Sequence, residues 1–173
     1  MSVAVIPPGA IYHTGYVVAD IRTAIRHWVE QAGAGPFMLF EDFAFVDPVY
    51  RGTPGAPRVT LAFAYSGDSC IELIQPVEAG SSIYGEARGA LHHLGIGVHN
   101  LEEGIRAYAA AGIDCAFRAS FPFGGGCAYL DTTKGLGVFT ELVERGPVVD
   151  QLLAQIQAAH RQWNRRDHIL GAG

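Results

Sequence analysis

The chain has 173 residues, 49% of them hydrophobic and 17% charged, with a formal net charge of −5. That length and apolar content suit one compact soluble domain with a sizeable core, and they exclude a disordered chain, which is apolar-poor and charge-rich. No basic cluster exceeds Arg165-Arg166, so the footprint of a nucleic-acid binder is missing, and no apolar run approaches the ~20 residues of a membrane-spanning helix.

Taken in order, the N-terminal MSVAVIPPGA lacks both the basic region and the apolar stretch of a signal peptide, so the expected location is cytoplasmic. Residues 11–18 form an apolar, β-branched strand, and Asp20 then stands where a helix N-cap belongs. Ile21, Ile25, Trp28, Val29 and Ala32 make one apolar helical stripe that Gly33 stops. Strands follow at 37–45, 59–65 and 70–75, with a Pro- and Gly-rich loop between Asp47 and Pro57. The pattern then restarts with a strand at 91–98, an N-cap at Asn100, and a stripe of Leu101, Ile105, Tyr108 and Ala109 that stops at Gly112. Further strands are expected near 114–118, 127–131 and 137–144. Pro147 opens a last helix, expected to run to about 167, with Val149, Leu152, Leu153, Ile156 and His160 on one face and Trp163 a turn beyond. Cys70, Cys115 and Cys127 are odd in number without CxxC spacing, which reads as free thiols used for packing.

The restart is a repeat. His13-Thr-Gly-Tyr-Val-Val matches His93-Leu-Gly-Ile-Gly-Val at an offset of 80 residues, and the offset carries Ile25-Arg26 onto Ile105-Arg106 and Trp28 onto Tyr108. Each copy closes on an acidic strand, Ile71-Glu72-Leu73 in the first and Thr140-Glu141-Leu142 in the second. The reading is therefore α+β, with two tandem βαβββ modules (about 9–78 and 89–146) and a C-terminal helix (about 147–167) making a single domain. His13, Glu72, His93 and Glu141 recur at equivalent positions between apolar neighbours. Buried together without an ion they would leave costly unpaired charge. Two imidazoles and two carboxylates suit one divalent ion: Zn, Co, Ni, Mn or Fe. The glycine two residues after each histidine, Gly15 and Gly95, is expected to leave room beside that ion. Strand alternation turns His92 to the opposite face from His93, and His99 lies too far along the strand to join the same ion.

These motifs, HTGYVVAD, CIELIQP, LHHLGIGV and GVFTELVE, resemble the vicinal-oxygen-chelate superfamily over roughly residues 11–145. With SSIYGEARG between the copies, the likeness is to its glyoxalase I and methylmalonyl-CoA epimerase branch. The resemblance implies an open, curved eight-stranded cup holding one divalent ion on His13, Glu72, His93 and Glu141. It further implies a small-molecule substrate, a homodimer, and an isomerase or lyase acting on a carbon acid beside a chelated oxygen, with Glu141 as ligand and base. An Fe(II) extradiol-type dioxygenase and a ligand-sequestering resistance-type binding protein are the alternatives. Tyr50, Thr60, Tyr65 and Asp42 are candidate substrate-binding residues or second acid–base groups. Arg51, Arg58, Arg88 and Arg118 are the candidate cations for an anionic substrate, and the aromatic stretch 36–45 is a candidate apolar pocket wall.

Overall fold

The computed structural model describes residues 10–77, 82–85 and 90–170, and Arg88 lies outside them. In chain order the first half holds β1 (Ile11–Val17), α1 (Ile21–Ala32), β2 (Met38–Ala44), β3 (Val46–Tyr50), β4 (Thr53–Pro54), β5 (Arg58–Ser66) and β6 (Ser69–Pro76). The second holds β7 (Ala90–Val98), α2 (Leu101–Ala110), β8 (Cys115–Ser120), β9 (Gly126–Leu130), the short α3 (Thr133–Leu136) and β10 (Phe139–Glu144), and α4 (Pro147–Arg161) follows. Both long module helices are capped as their sequences dictate. Asp20 accepts from the Thr23 backbone N–H at 2.7 Å and Asn100 from that of Glu103 at 3.0 Å, each satisfying a donor that the helix leaves open. Gly33 then ends α1 in the left-handed conformation.

All these strands join one sheet in the order β2-β5-β6-β1-β7-β10-β9-β8-β3-β4. The two halves meet at its centre, where β1 and β7 run antiparallel, and each of these strands has the acidic strand of its own half, β6 or β10, as a parallel neighbour. The order is thus mirrored about a pseudo-twofold axis. Among the described residues ten strands replace the expected eight, because the stretch read as a Pro- and Gly-rich loop forms β3 and β4. The prolines that argue against a central strand are tolerated here: β4 is the sheet's edge, and Pro48 sits where the β3–β8 register shifts. Strand β3 belongs to the first half in sequence yet pairs with β8 of the second. Only Phe45 separates β2 at one end of the sheet from β3, one strand in from the other end, so this short link draws the two ends together and the sheet curls.

Strand alternation separates two apolar layers. On the outer face Ile21 and Ile25 of α1 pack with Ala62, Ala64, Ile71 and Leu73, while Tyr108 of α2 packs with Ala128, Leu130 and Leu142. The inner face carries Leu61, Phe63, Tyr129 and Val143. Helix α4 lays Leu153 and Ile156 against Tyr65 and Cys70. His160 fastens its end: Nδ1 donates to the Gly35 carbonyl at 2.5 Å and Nε2 accepts from the Gly67 N–H at 3.1 Å. The helix stops at Arg161, short of the expected 167, and the Asn164 side chain gathers the backbone N–H groups of Arg166 and Asp167 into a turn instead. Among the described residues no helix is long and apolar enough to cross a membrane, and the three cysteines are free.

Candidate metal centre

The central register explains how four polar side chains come together on an apolar sheet. Across β6, β1 and β7, Glu72 stands beside Gly15 and Gly15 beside His93. One step along, His13 stands beside Gly95 and Gly95 beside Glu141 of β10. Each row therefore holds one glutamate, one glycine and one histidine, and the second row is the pseudo-twofold copy of the first. The glycines have a different purpose from the one expected. A Cβ on Gly15 would lie 1.9 Å from Cε1 of His93, and one on Gly95 would lie 1.9 Å from Cε1 of His13. Each glycine makes room for the imidazole of the opposite strand, and that lets both rings reach the axis.

His13, Glu72, His93 and Glu141 are all buried, with exposures of 0–5%. The two Nε2 atoms are 3.0 Å apart. Oε2 of Glu72 lies 3.2 Å from Nε2 of His13 and 3.0 Å from that of His93, and Oε2 of Glu141 lies at 2.9 and 3.3 Å from the same atoms. Donors about 2.1 Å from a common ion stand roughly 3.0 Å apart at right angles and roughly 3.4 Å apart at the tetrahedral angle. The observed spacings fall on that scale, so this buried group can hold a metal ion.

The electrostatics agree. Burial lowers the pKa of His13, but hydrogen bonds to Glu141 and Glu72 outweigh it and raise the value to about 9; for His93 burial is outweighed by the charge of Glu141 and by hydrogen bonds to both glutamates, and its pKa is raised too. Burial likewise raises both carboxyl groups, and the imidazoles outweigh it to leave Glu72 and Glu141 below the usual range. Without an ion the raised pKa values favour protons on two imidazoles whose nitrogens face each other at 3.0 Å, and two N–H donors cannot bond one another. One divalent cation in place of those protons removes the conflict. The donor set fits the ion that the sequence implies.

His92 corrects an expectation. It does not alternate away from His93, because Gly15 faces His93 while Tyr16 faces Leu91, which leaves His92 as the extra residue of a β-bulge. Its Nδ1 lies 3.0 Å from Nδ1 of His93, and its Nε2 lies 3.0 Å from the Ile83 carbonyl. Burial and the neighbouring His93 lower its pKa to about 4, so it is neutral. Nε2–H then donates to Ile83, leaving Nδ1 to accept from His93 Nδ1–H. That chain frees the lone pair of His93 Nε2 for the centre. Tyr12 forms the matching bulge on β1, between Ile11 and His13, and places a phenol where the second copy has His92. Nδ1 of His13 consequently has no hydrogen-bond partner among the described residues.

Above the four side chains lies a cavity of about 100 Å³, lined by His13, Glu72 and Glu141 at its polar end. Its walls include Phe40, Phe43 and Phe45, as the aromatic stretch allowed, together with Phe63, Phe121 and Phe123. Tyr12, Tyr84 and Tyr129 also line it, and Tyr84 and Tyr129 share one hydrogen bond at 3.2 Å. Sequence reading passed over these three tyrosines, and nothing in their local pattern distinguishes them from core aromatics. The other candidates lie elsewhere. Tyr50 lines an outer groove, Thr60 is half-buried on β5, Tyr65 packs under α4, and Asp42 is exposed and paired with Arg58. Arg51 pairs with Asp131 and Arg118 with Glu102, and His99 lines a second outer groove.

Comparison with known proteins follows this geometry. Methylmalonyl-CoA epimerase from Mycobacterium tuberculosis superposes with a TM-score of 0.55 at 21% identity, covering 87% of this chain and 97% of that one. The hypothetical protein BH1468 from Bacillus halodurans C-125 gives 0.56 at 25% identity, covering 80% and 95%. A single-residue variant of Streptomyces coelicolor methylmalonyl-CoA epimerase, in complex with 2-nitronate-propionyl-CoA, gives 0.55 at 18%, covering 78% and 96%. No curated protein matches by sequence. The family model described as the Glyoxalase/Bleomycin resistance protein/Dioxygenase superfamily matches residues 12–129, and the chain belongs to that superfamily.

Proposed function

We propose that the chain is a metal-dependent isomerase or lyase acting on a carbon acid beside a substrate oxygen. The observation that carries this reading is the convergence of His13, Glu72, His93 and Glu141 at the end of an apolar cavity that both carboxylates line. Epimerases among the similar structures support it. The bound ion would supply a Lewis acid that lowers the pKa of a carbon acid whose neighbouring oxygen it holds. The remaining work belongs to the chain. Each glutamate turns Oε2 toward the imidazoles, and Oε1 makes none of those contacts. Oε1 of Glu141 is then the base that takes the proton. Glu72, its pseudo-twofold counterpart, is the second acid–base group that the sequence of 59–65 lacks, and its Oε1 returns a proton from the other side of the axis. The thiol of Cys127 is kept protonated by burial and by both carboxylates. The aromatic walls exclude the water that would quench a carbanion.

The test is metal analysis of protein purified without chelator, followed by solvent-deuterium exchange over a panel of carbon acids. One divalent ion per chain and exchange into at least one acid are expected. Glu141→Gln and Glu72→Gln should each retain part of the metal yet slow exchange by roughly a hundred- to ten-thousand-fold. Metal-loaded protein that exchanges no acid, or variants that exchange normally, would overturn the proposal.

A further inference from the structure

The cavity above the centre specifies the body of the substrate, an inference that rests on the proposed function and deepens it. Apart from the site's own groups, its polar lining among the described residues is limited to the hydroxyls of Tyr12, Tyr84 and Tyr129, and it contains no Lys or Arg. Phe40, Phe43, Phe45, Phe63, Phe121 and Phe123 form most of the remaining wall, with Val149, Leu152 and Leu153 supplied by α4. A volume of about 100 Å³ is comparable to the ~150 Å³ cavity that takes up one benzene ring. It is too small to enclose an adenosine diphosphate tail.

The surroundings point the same way. The one-residue link at Phe45 joins β2 directly to β3, and Phe45 itself lines the cavity on that side. Arg51 and Arg58 line the larger outer groove and not this cavity, and they are paired with Asp131 and Asp42. Tyr84 borders both spaces, and its hydroxyl shares a single hydrogen bond with that of Tyr129, which among the described residues leaves one O–H hydrogen of the pair uncommitted.

We infer that the substrate is a compact molecule with one apolar ring, or a branched aliphatic group of that size, seated among the phenylalanines. Its oxygens face the four-residue centre, and it carries no nucleotide tail. Ring burial adds to affinity, because most of the lining is phenylalanine and aliphatic side chain with little to desolvate.

The probes are mandelate and lactate, which present the same two oxygens with and without a phenyl ring, and propionyl-CoA. Titrated calorimetrically into metal-loaded protein, mandelate should bind about ten- to a hundred-fold more tightly than lactate, and propionyl-CoA should show no saturable binding at 1:1 competition with mandelate. Val149→Trp fills the cavity from α4, and should erase the mandelate advantage while metal content stays stoichiometric. Chelator-treated protein should still take up benzyl alcohol, read by NMR shifts of the cavity aromatics. That arm separates this inference from the proposed function, since a failed metal assay leaves it standing. Equal affinities for mandelate and lactate, propionyl-CoA binding as tight as mandelate, an unchanged advantage in a metal-replete Val149→Trp protein, or no benzyl alcohol uptake would each overturn it.

Discussion

The sharpest perturbation adds one methyl group beside the centre. In Gly95→Ala the new Cβ would lie 1.9, 2.1 and 2.5 Å from Cε1, Nδ1 and Nε2 of His13. Carbon atoms in packed contact stand about 3.5 Å apart, so the ring must retreat by roughly 1.5 Å. Metal–ligand distances tolerate about 0.2 Å, so His13 would be lost as a donor. The backbone itself accepts alanine, because Gly95 is not among the positive-φ glycines. Overpacking of this kind costs about 1–3 kcal/mol, and in a chain of this length each kcal/mol moves Tm by roughly 2–4 °C. The variant should therefore fold with a Tm lowered by roughly 2–12 °C, while metal affinity falls beyond the roughly ten- to hundred-fold that follows loss of an outer hydrogen-bond partner. Gly15→Ala, which meets His93 at the same 1.9 Å, should behave alike. Gly135→Ala, whose Cβ meets nothing within 4 Å, is the control. Circular dichroism melts and metal titration on the three proteins are the assay. Stoichiometric metal at parental affinity in folded Gly95→Ala would refute the account of how the glycines serve the opposite histidines.

Other outcomes follow from the same geometry. His92→Phe keeps an aromatic in the bulge but removes the acceptor for His93 Nδ1–H, so metal affinity should fall about ten- to hundred-fold with stoichiometry retained; His93→Ala should lose stoichiometric binding altogether, and competition with a fluorescent chelator distinguishes the two. The His13 pKa in the metal-free fold, about 9, lies above its ordinary value of 6.5, so its contribution is fully present below pH 6.5 and is lost as pH rises through 9. Chelator-treated protein should lose about 3 kcal/mol of stability across that window, and unfolding in urea at several pH values would contradict this if stability were flat. Metal-loaded protein should show the opposite trend, with occupancy falling as acid protonates the imidazoles, so the stabilisation conferred by metal should grow with pH.

The caps at Asp20 and Asn100, the paired strands and the four polar residues were legible in the sequence because they depend on local periodicity and on a repeat that aligns by eye. What escaped depends on pairing between distant strands. The stretch 46–54 reads as a loop from its prolines and glycines, and becomes β3 and β4 only because β8 of the other half offers it an edge. His92 follows alternation until one extra residue enters the ladder opposite Gly15 and Tyr16. The duty of Gly15 and Gly95 is written in the register of β1 against β7, which no single segment contains. Phe40, Phe43 and Phe45 were placed on a possible pocket wall, whereas Phe63, Phe121 and Phe123 join it from strands and a turn that only the curl of the sheet brings near.

That curl sets how the chamber can breathe. The halves are sutured twice, along β1–β7 and along β3–β8, and Phe45 closes the circuit covalently. A hoop held at two seams cannot widen by splaying its rim, since either seam must first give up a ladder of hydrogen bonds. The parts of the lining that lie outside the sheet are the turn that carries the half-exposed Phe123 and the helix α4, and these are where the chamber can open without unzipping a seam. Admission then becomes a local event on the nanosecond-to-millisecond scale of loops and docked helices, and the rate of ligand capture becomes a property of those few residues, separable from the stability of the sheet.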